Sequence, residues 1–134
     1  MLLTKRNEYA LQAMVLLASG RVRSPATARS LAGLLKTSPA FMSKIVQKLS
    51  RAGLLKSRRG RGGGLSLSRP PQLIIVGEIF RAVDGELLVS PCVRTGHCAH
   101  LPCPLHPALR RIQFQLDLVL NRARLSQIAK GVKL

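Results

Sequence analysis

Acidic and aromatic side chains are scarce in this chain. Its 134 residues contain five Asp and Glu against 22 Lys and Arg, no tryptophan, one tyrosine and three phenylalanines. Apolar residues reach 46%, so a core is attainable, but with aromatics at 3% it must be built mainly from Leu, Val, Ile and Ala. The sequence offers no acid/base pair, phosphate loop or nucleophile–base constellation, so an enzyme is not expected. No apolar run approaches the length of a membrane span, which argues against a membrane partner. Lys5, Arg6 and Glu8 lead into an amphipathic pattern with no small-residue cleavage site, which suits a folded helix better than a signal peptide. A cytoplasmic protein is the expectation.

The charge that is present is one-sided and uneven. Residues 1–71 hold 14 Lys and Arg against the single acid Glu8, whereas residues 72–134 hold 8 against 4. The formal net charge of +17 would repel itself in a compact state unless a polyanion is the usual partner. Such clustering is the electrostatic footprint of a nucleic-acid-binding N-terminal half.

Apolar spacing predicts where that half folds. Residues 5–19 place Tyr9, Met14 and Leu17 near one helical face, widened by Leu11, Val15 and Leu16, with Gly20 as a stop. A second helix is expected from Ser24 as N-cap and Pro25 as first residue, with Ala28, Leu31, Leu34 and Leu35 following. The same grammar recurs at Ser38–Pro39, where Met42, Ile45, Val46 and Leu49 form a stripe ended by Gly53. Two short capped helices with a tight link read as a helix-turn-helix whose second helix enters the major groove. That helix turns Ser38, Phe41, Ser43, Lys44, Gln47 and Lys48 outward. Phe41 suits either the core or contact with a thymine methyl.

Leu54–Leu55 and "LSLS" at 65–68 read as two strands around the glycine-rich tip "RRGRGGG". Arg58, Arg59 and Arg61 charge that tip, which makes it a basic wing; a flexible linker would lack the flanking apolar pairs and the "RPP" terminator. A further helix buries Val76, Ile79, Phe80 and Val83. From Pro107 a long helix carries Leu109, Ile112, Leu116, Val119 and Ala123 at coiled-coil spacing, with Phe114, Leu118, Leu120 and Leu125 also apolar. A twofold homodimer would bury that surface, and a monomer with the helix folded back is the alternative. The fold class is thus mainly α with a small β-hairpin: a winged helix-turn-helix over 1–85, a cysteine loop over 86–106 and a dimerisation helix over 107–134.

All three cysteines and all three histidines lie in "PCVRTGHCAHLPCPLHP", residues 91–107. An odd number of thiols in a reducing compartment points to metal or redox chemistry rather than a disulfide framework. Thiolates select iron–sulfur clusters, zinc or Cu(I) over hard cations.

Residues 37–85 resemble the winged-helix, iron–sulfur-sensing transcription regulators of the IscR/NsrR type. The matching pieces are "L-x-R-A-G-L" at 49–54, "S-x-R-G-x-x-G-G" at 57–64, "L-S-R-x-P" near 67–71 and "E-I-F-R-A-V-D-G" at 78–85. The cysteine loop and C-terminal helix fall where that family has them. This chain departs from the pattern at Leu65, where an aromatic is usual, at Ser43, where an acid is common, and in its C-x5-C-x4-C spacing.

The resemblance implies a repressor of transcription that binds a double-stranded DNA operator under redox or cluster control. It implies a cluster on Cys92, Cys98 and Cys103, with [2Fe–2S] expected ahead of [4Fe–4S]. A cluster normally takes four protein ligands. His106, in a C-x2-H arrangement with Cys103, matches a family ligand position, and Glu8 matches the place where other members supply a carboxylate. His97 and His100 flank Cys98, where neighbouring double ligation would be strained. Three Cys and one His also suit zinc, although x5 is wider than usual zinc spacing, so a constitutive DNA-binding protein with a structural zinc site is the alternative. On the DNA side, Ser38, Phe41 and Ser43 are expected at base edges, and Lys44, Lys48, Arg58, Arg59 and Arg61 at phosphates or groove edges.

Overall fold

The computed structural model describes residues 3–22, 26–96 and 102–131. Helix α1 runs Lys5–Ala18, α2 Ala28–Leu34 and α3 Pro39–Arg51. Strands β1 Leu55–Arg58 and β2 Gly64–Leu67 follow, then a 3-10 turn Pro71–Leu73 and helix α4 Val76–Asp84. Helices α5 Pro91–Thr95, α6 His106–Arg122 and α7 Leu125–Gly131 complete the chain. No helix among the described residues is long and apolar enough to cross a membrane.

The N-terminal half follows the sequence grammar closely. Ala10, Ala13 and Met14 of α1 are fully buried, while Tyr9 and Leu17 pack half-buried at the edges of that face. They meet Leu31 of α2, Met42, Ile45 and Leu49 of α3, and Ile79 and Val83 of α4 in one core. The expected start of α2 is corrected. Ser24 and Pro25 lie outside the described residues, and the helix begins at Ala28 with Thr27 as its cap. Thr27 and Ser30 form a reciprocal capping box, with Ser30 N–H donating to Thr27 Oγ1 at 3.0 Å and Thr27 N–H to Ser30 Oγ at 2.8 Å. Thr27→Ala is expected to cost about 1 kcal/mol of stability, read by thermal denaturation, whereas Thr27→Ser keeps most of it. Between α2 and α3, Lys36 takes a left-handed conformation (φ 52°) and Thr37 N–H donates to Ala32 O at 2.9 Å. The turn is therefore tight, and Ser38 caps α3 as the sequence requires.

The hairpin is antiparallel, with Leu55 opposite Leu67 and Arg58 opposite Gly64. Gly63 is required at its tip: a Cβ there would lie 2.3 Å from Arg58 O. The wing is tied to the helices by Leu65 N–H donating to Ala26 O at 2.7 Å. Arg6 Nε lies 2.9 Å from Asp84 Oδ1, and Thr4 Oγ1 also donates to Asp84, which joins the start of α1 to the end of α4.

The C-terminal segment departs from the single helix expected over 107–134. Helix α6 is long, 17 residues, but ends at Arg122 because Ala123 turns extended (φ −66°, ψ 123°). Two backbone bonds hold that break: Val76 N–H to Ala123 O and Leu125 N–H to Ile74 O, each 2.9 Å. Ile75 and Arg124 thus form an antiparallel bridge. Gln127 Oε1 accepts from Arg124 N–H at 2.9 Å, at the entry to α7. Leu125 then inserts fully into the molecule's own core. So α7 folds back on α1 and the 3-10 turn, as the monomer alternative had it for the whole segment. The α6 seam does not: Leu109 and Leu116 are half-buried, while Ile112 and Val119 stay 54% and 64% exposed.

Candidate functional site

Two arrays of side chains stand out, one cationic and one of soft ligands. The first lies on α3 and the wing. Ser38 and Lys44 are exposed on α3, and Ser43 is half-buried at a cleft shared with Gln47, Ser57 and Arg58. Arg58, Arg59 and Arg61 are exposed on the wing and form no ion pair among the described residues. Their charge is therefore left for an external anion. Two of the outward residues have internal partners. The Phe41 ring meets the Tyr9 ring edge-to-face, centroids 5.7 Å apart, and is half-buried. Lys48 Nζ donates to Val83 O at 2.5 Å, at the C-terminal end of α4, where a cation is favourable.

The second array begins at α5. The segment expected as loop contains this five-residue turn of helix, opened by Pro91 and closed by Gly96 N–H donating to Cys92 O at 2.9 Å. Cys92 is half-buried, with its sulfur 3.2 Å from Ser90 Oγ. Cys103 is half-buried just before α6, and the His106 N–H donates to its carbonyl at 3.3 Å. His106 Nε2 is buried and has no hydrogen-bond partner among the described residues. A buried imidazole nitrogen without a partner is unfavourable, and in the tautomer protonated at Nδ1 the Nε2 lone pair is free to ligate a metal. Cys92, Cys103 and His106 are donor types that suit a soft metal or an iron–sulfur cluster, although the structure does not bring the three together. Cys98, His97 and His100 lie outside the described residues. Among the described residues no three His, Cys, Asp or Glu side chains gather as a metal site. Glu8, in the first turn of α1, pairs with Lys5 at 2.8 Å. That hydrogen bond, then the carboxylate's charge, raises the Lys5 pKa above its ordinary value.

One residue that ties the linker after α4 to α6 had no sequence signal. Gln113 of α6 is 8% exposed and holds the linker after α4. Its Oε1 accepts from Val89 N–H at 2.9 Å, and its Nε2 donates to Leu87 O at 2.9 Å and to Asp117 Oδ1 at 3.0 Å. Nothing in a glutamine beside an apolar seam marks it as a staple.

A winged helix with unpaired wing arginines, followed by a cysteine-bearing linker and an exposed helical seam, matches a known pattern. The Rrf2 family, described as iron-dependent transcriptional regulators, matches residues 3–131. The chain belongs to the Rrf2 family. Among curated relatives of this Rrf2 protein, the HTH-type transcriptional regulator NsrR of Geobacillus kaustophilus is 30% identical over 144 residues, covering 97% of both chains. The solved structure of CymR, the global cysteine regulator of B. subtilis, shares 26% identity at a TM-score of 0.81 over 98% of each chain. T. potens IscR shares 27% identity at a TM-score of 0.73, covering 96% of this chain and 86% of its own. The Rrf2 chain is a DNA-binding transcriptional regulator of the IscR/NsrR type, and its relatives are regulators rather than enzymes. The expected winged-helix architecture holds.

Proposed function

We propose that this Rrf2 protein is a cytoplasmic homodimeric repressor whose affinity for its DNA operator is set by an iron–sulfur cluster. Cys92, Cys98, Cys103 and His106 would hold the cluster, and [2Fe–2S] is favoured. The observation that carries this reading is the buried His106 Nε2, without a hydrogen-bond partner among the described residues, set three residues after Cys103 at the start of the helix on which α5 packs. When bound, such a group supplies a tie between α5 and α6 that is sensitive to iron and oxidation.

The protein's own residues supply the rest. Ser38 and Ser43, with Phe41 at the edge of the face, read base edges, while Lys44, Arg58, Arg59 and Arg61 hold phosphates. Lys48 contributes charge while holding the end of α4. The exposed Ile112 and Val119 support self-association along α6. Gln113 clamps the linker to α6, so a change in the 86–106 segment tilts the DNA-reading unit against the dimer axis. Half-site spacing depends on that angle.

The test is anaerobic purification followed by visible spectroscopy, iron analysis and operator titration of holo and apo protein. A coloured, iron-containing protein whose two forms differ about tenfold or more in affinity is expected. A colourless protein with one bound zinc would favour the constitutive reading instead.

A further inference from the structure

A cavity of about 480 Å³ opens where α4, the linker after it, α5 and α6 meet. Neither the DNA-reading face nor any of Cys92, Cys103 and His106 lines it. Its walls are of two kinds. Phe80, Leu88, Val93 and Leu120 make an apolar floor, with the Phe114 ring 61% exposed beside it. Around this stand three arginines, Arg81, Arg94 and Arg110, against two carboxylates, Glu86 and Asp117, which leaves one net positive charge.

The engaged groups separate from the free ones. Both terminal nitrogens of Arg81 donate to Asn121 Oδ1 at 3.2 Å. Gly77 permits that close packing, since a Cβ there would lie 3.1 Å from Arg81 Nη1. Asp117 accepts from Gln113. Arg94 and Arg110 have no hydrogen bond or ion pair among the described residues, so two guanidiniums, one from α5 and one from α6, stand unengaged at one cavity of mixed lining. Guanidinium forks of this kind match a carboxylate. Arg110, Gln113, Asp117 and Leu120 form a stripe offset by one residue, about 100° around the helix, from Leu109, Ile112, Leu116 and Val119.

We propose that this cavity binds a small organic monocarboxylate with an aromatic or aliphatic body, its charge met by Arg94 and Arg110 and its body by Phe114 and the apolar floor. Such a ligand bridges α4, α5 and α6, and so acts on the same joint as the 86–106 segment without requiring a cluster.

The test uses 4-phenylbutyrate as probe with the full chain, followed by calorimetry and ligand-observed NMR. Saturable binding is expected, at least about tenfold tighter than for 4-phenylbutan-1-ol, with inorganic phosphate showing none. Arg94→Ala combined with Arg110→Ala should lose at least about tenfold in affinity with an unchanged melting temperature, because neither side chain has a polar partner among the described residues. Should that pair unfold, Arg110→Gln alone should still weaken binding several-fold. Phe114→Ala should weaken the phenyl probe but leave acetate unaffected. The proposal is overturned by no saturable binding, by equal affinity for acid and alcohol, by phosphate binding as tightly as the probe, or by arginine variants that bind like the wild type.

Discussion

Alanine at Arg58, Arg59 and Arg61 together should lower operator affinity by roughly two to three orders of magnitude near physiological salt. Each phosphate neutralised is worth about 1 kcal/mol of counterion release near physiological salt, and somewhat more with its hydrogen bond, and three such contacts are removed. The second readout is sharper. Each neutralised phosphate contributes about −0.9 to the slope of log affinity against log salt, so the triple variant should flatten that slope by about 2.7. Lys44→Ala, removing one exposed charge from α3, should flatten it by about 0.9. Fluorescence anisotropy across a salt series gives both values. Folding is not at stake, because the three arginines are exposed and unpaired among the described residues. A wild-type slope in the triple variant would mean the wing never reaches the backbone.

How far the fold could be read in advance depended on whether its signals were local. Ser38, Pro39 and the Met42–Ile45–Val46–Leu49 stripe needed only one helix to be understood, and all fell into place. The two strands flanking the glycine-rich tip were local as well. Ser24 and Thr27 are both competent caps three residues apart, and the pairing with Ser30 selects Thr27. The break after α6 is the opposite case. Residues 119–128 carry helix formers with no Gly or Pro, and what ends the helix is a backbone bridge to Ile75, 49 positions earlier in the chain. Tertiary contact overrides local propensity there.

The site divides the same way. Residue chemistry announced the cysteines, His106 and the basic wing, since soft donors and clustered charge are visible without coordinates. What each outward residue of α3 touches was not visible. Lys44 and Lys48 are alike in sequence, yet only Lys48 meets a carbonyl at the end of α4. Phe41 packs against Tyr9, a partner 32 positions away. Gln113 is the extreme example, because its role comes from two backbone groups of a linker that has no regular structure.

If the proposed cluster is held in the 86–106 segment, replacing Cys92 or Cys103 with alanine should abolish the visible chromophore and bound iron. A cluster left with two of its three thiolates and an imidazole lacks the soft donors that hold it against solvent. Operator affinity of these variants should then match the apo wild type, shifted from the holo protein by about 1–3 kcal/mol, or roughly 5- to 150-fold. His106→Ala is the more discriminating change. All three thiolates remain, so a cluster can still assemble, but with an altered visible spectrum and faster loss of iron on exposure to chelator. Its apo form should be about as stable as the wild type, because Nε2 has no hydrogen-bond partner among the described residues to lose. Glu8→Gln removes only the ion pair with Lys5, 49% exposed on its carboxylate side, and should leave the spectrum untouched. The reverse pattern, a spectrum that follows Glu8 and ignores His106, would transfer the fourth ligand to the carboxylate on α1. It would leave the buried imidazole nitrogen needing another partner.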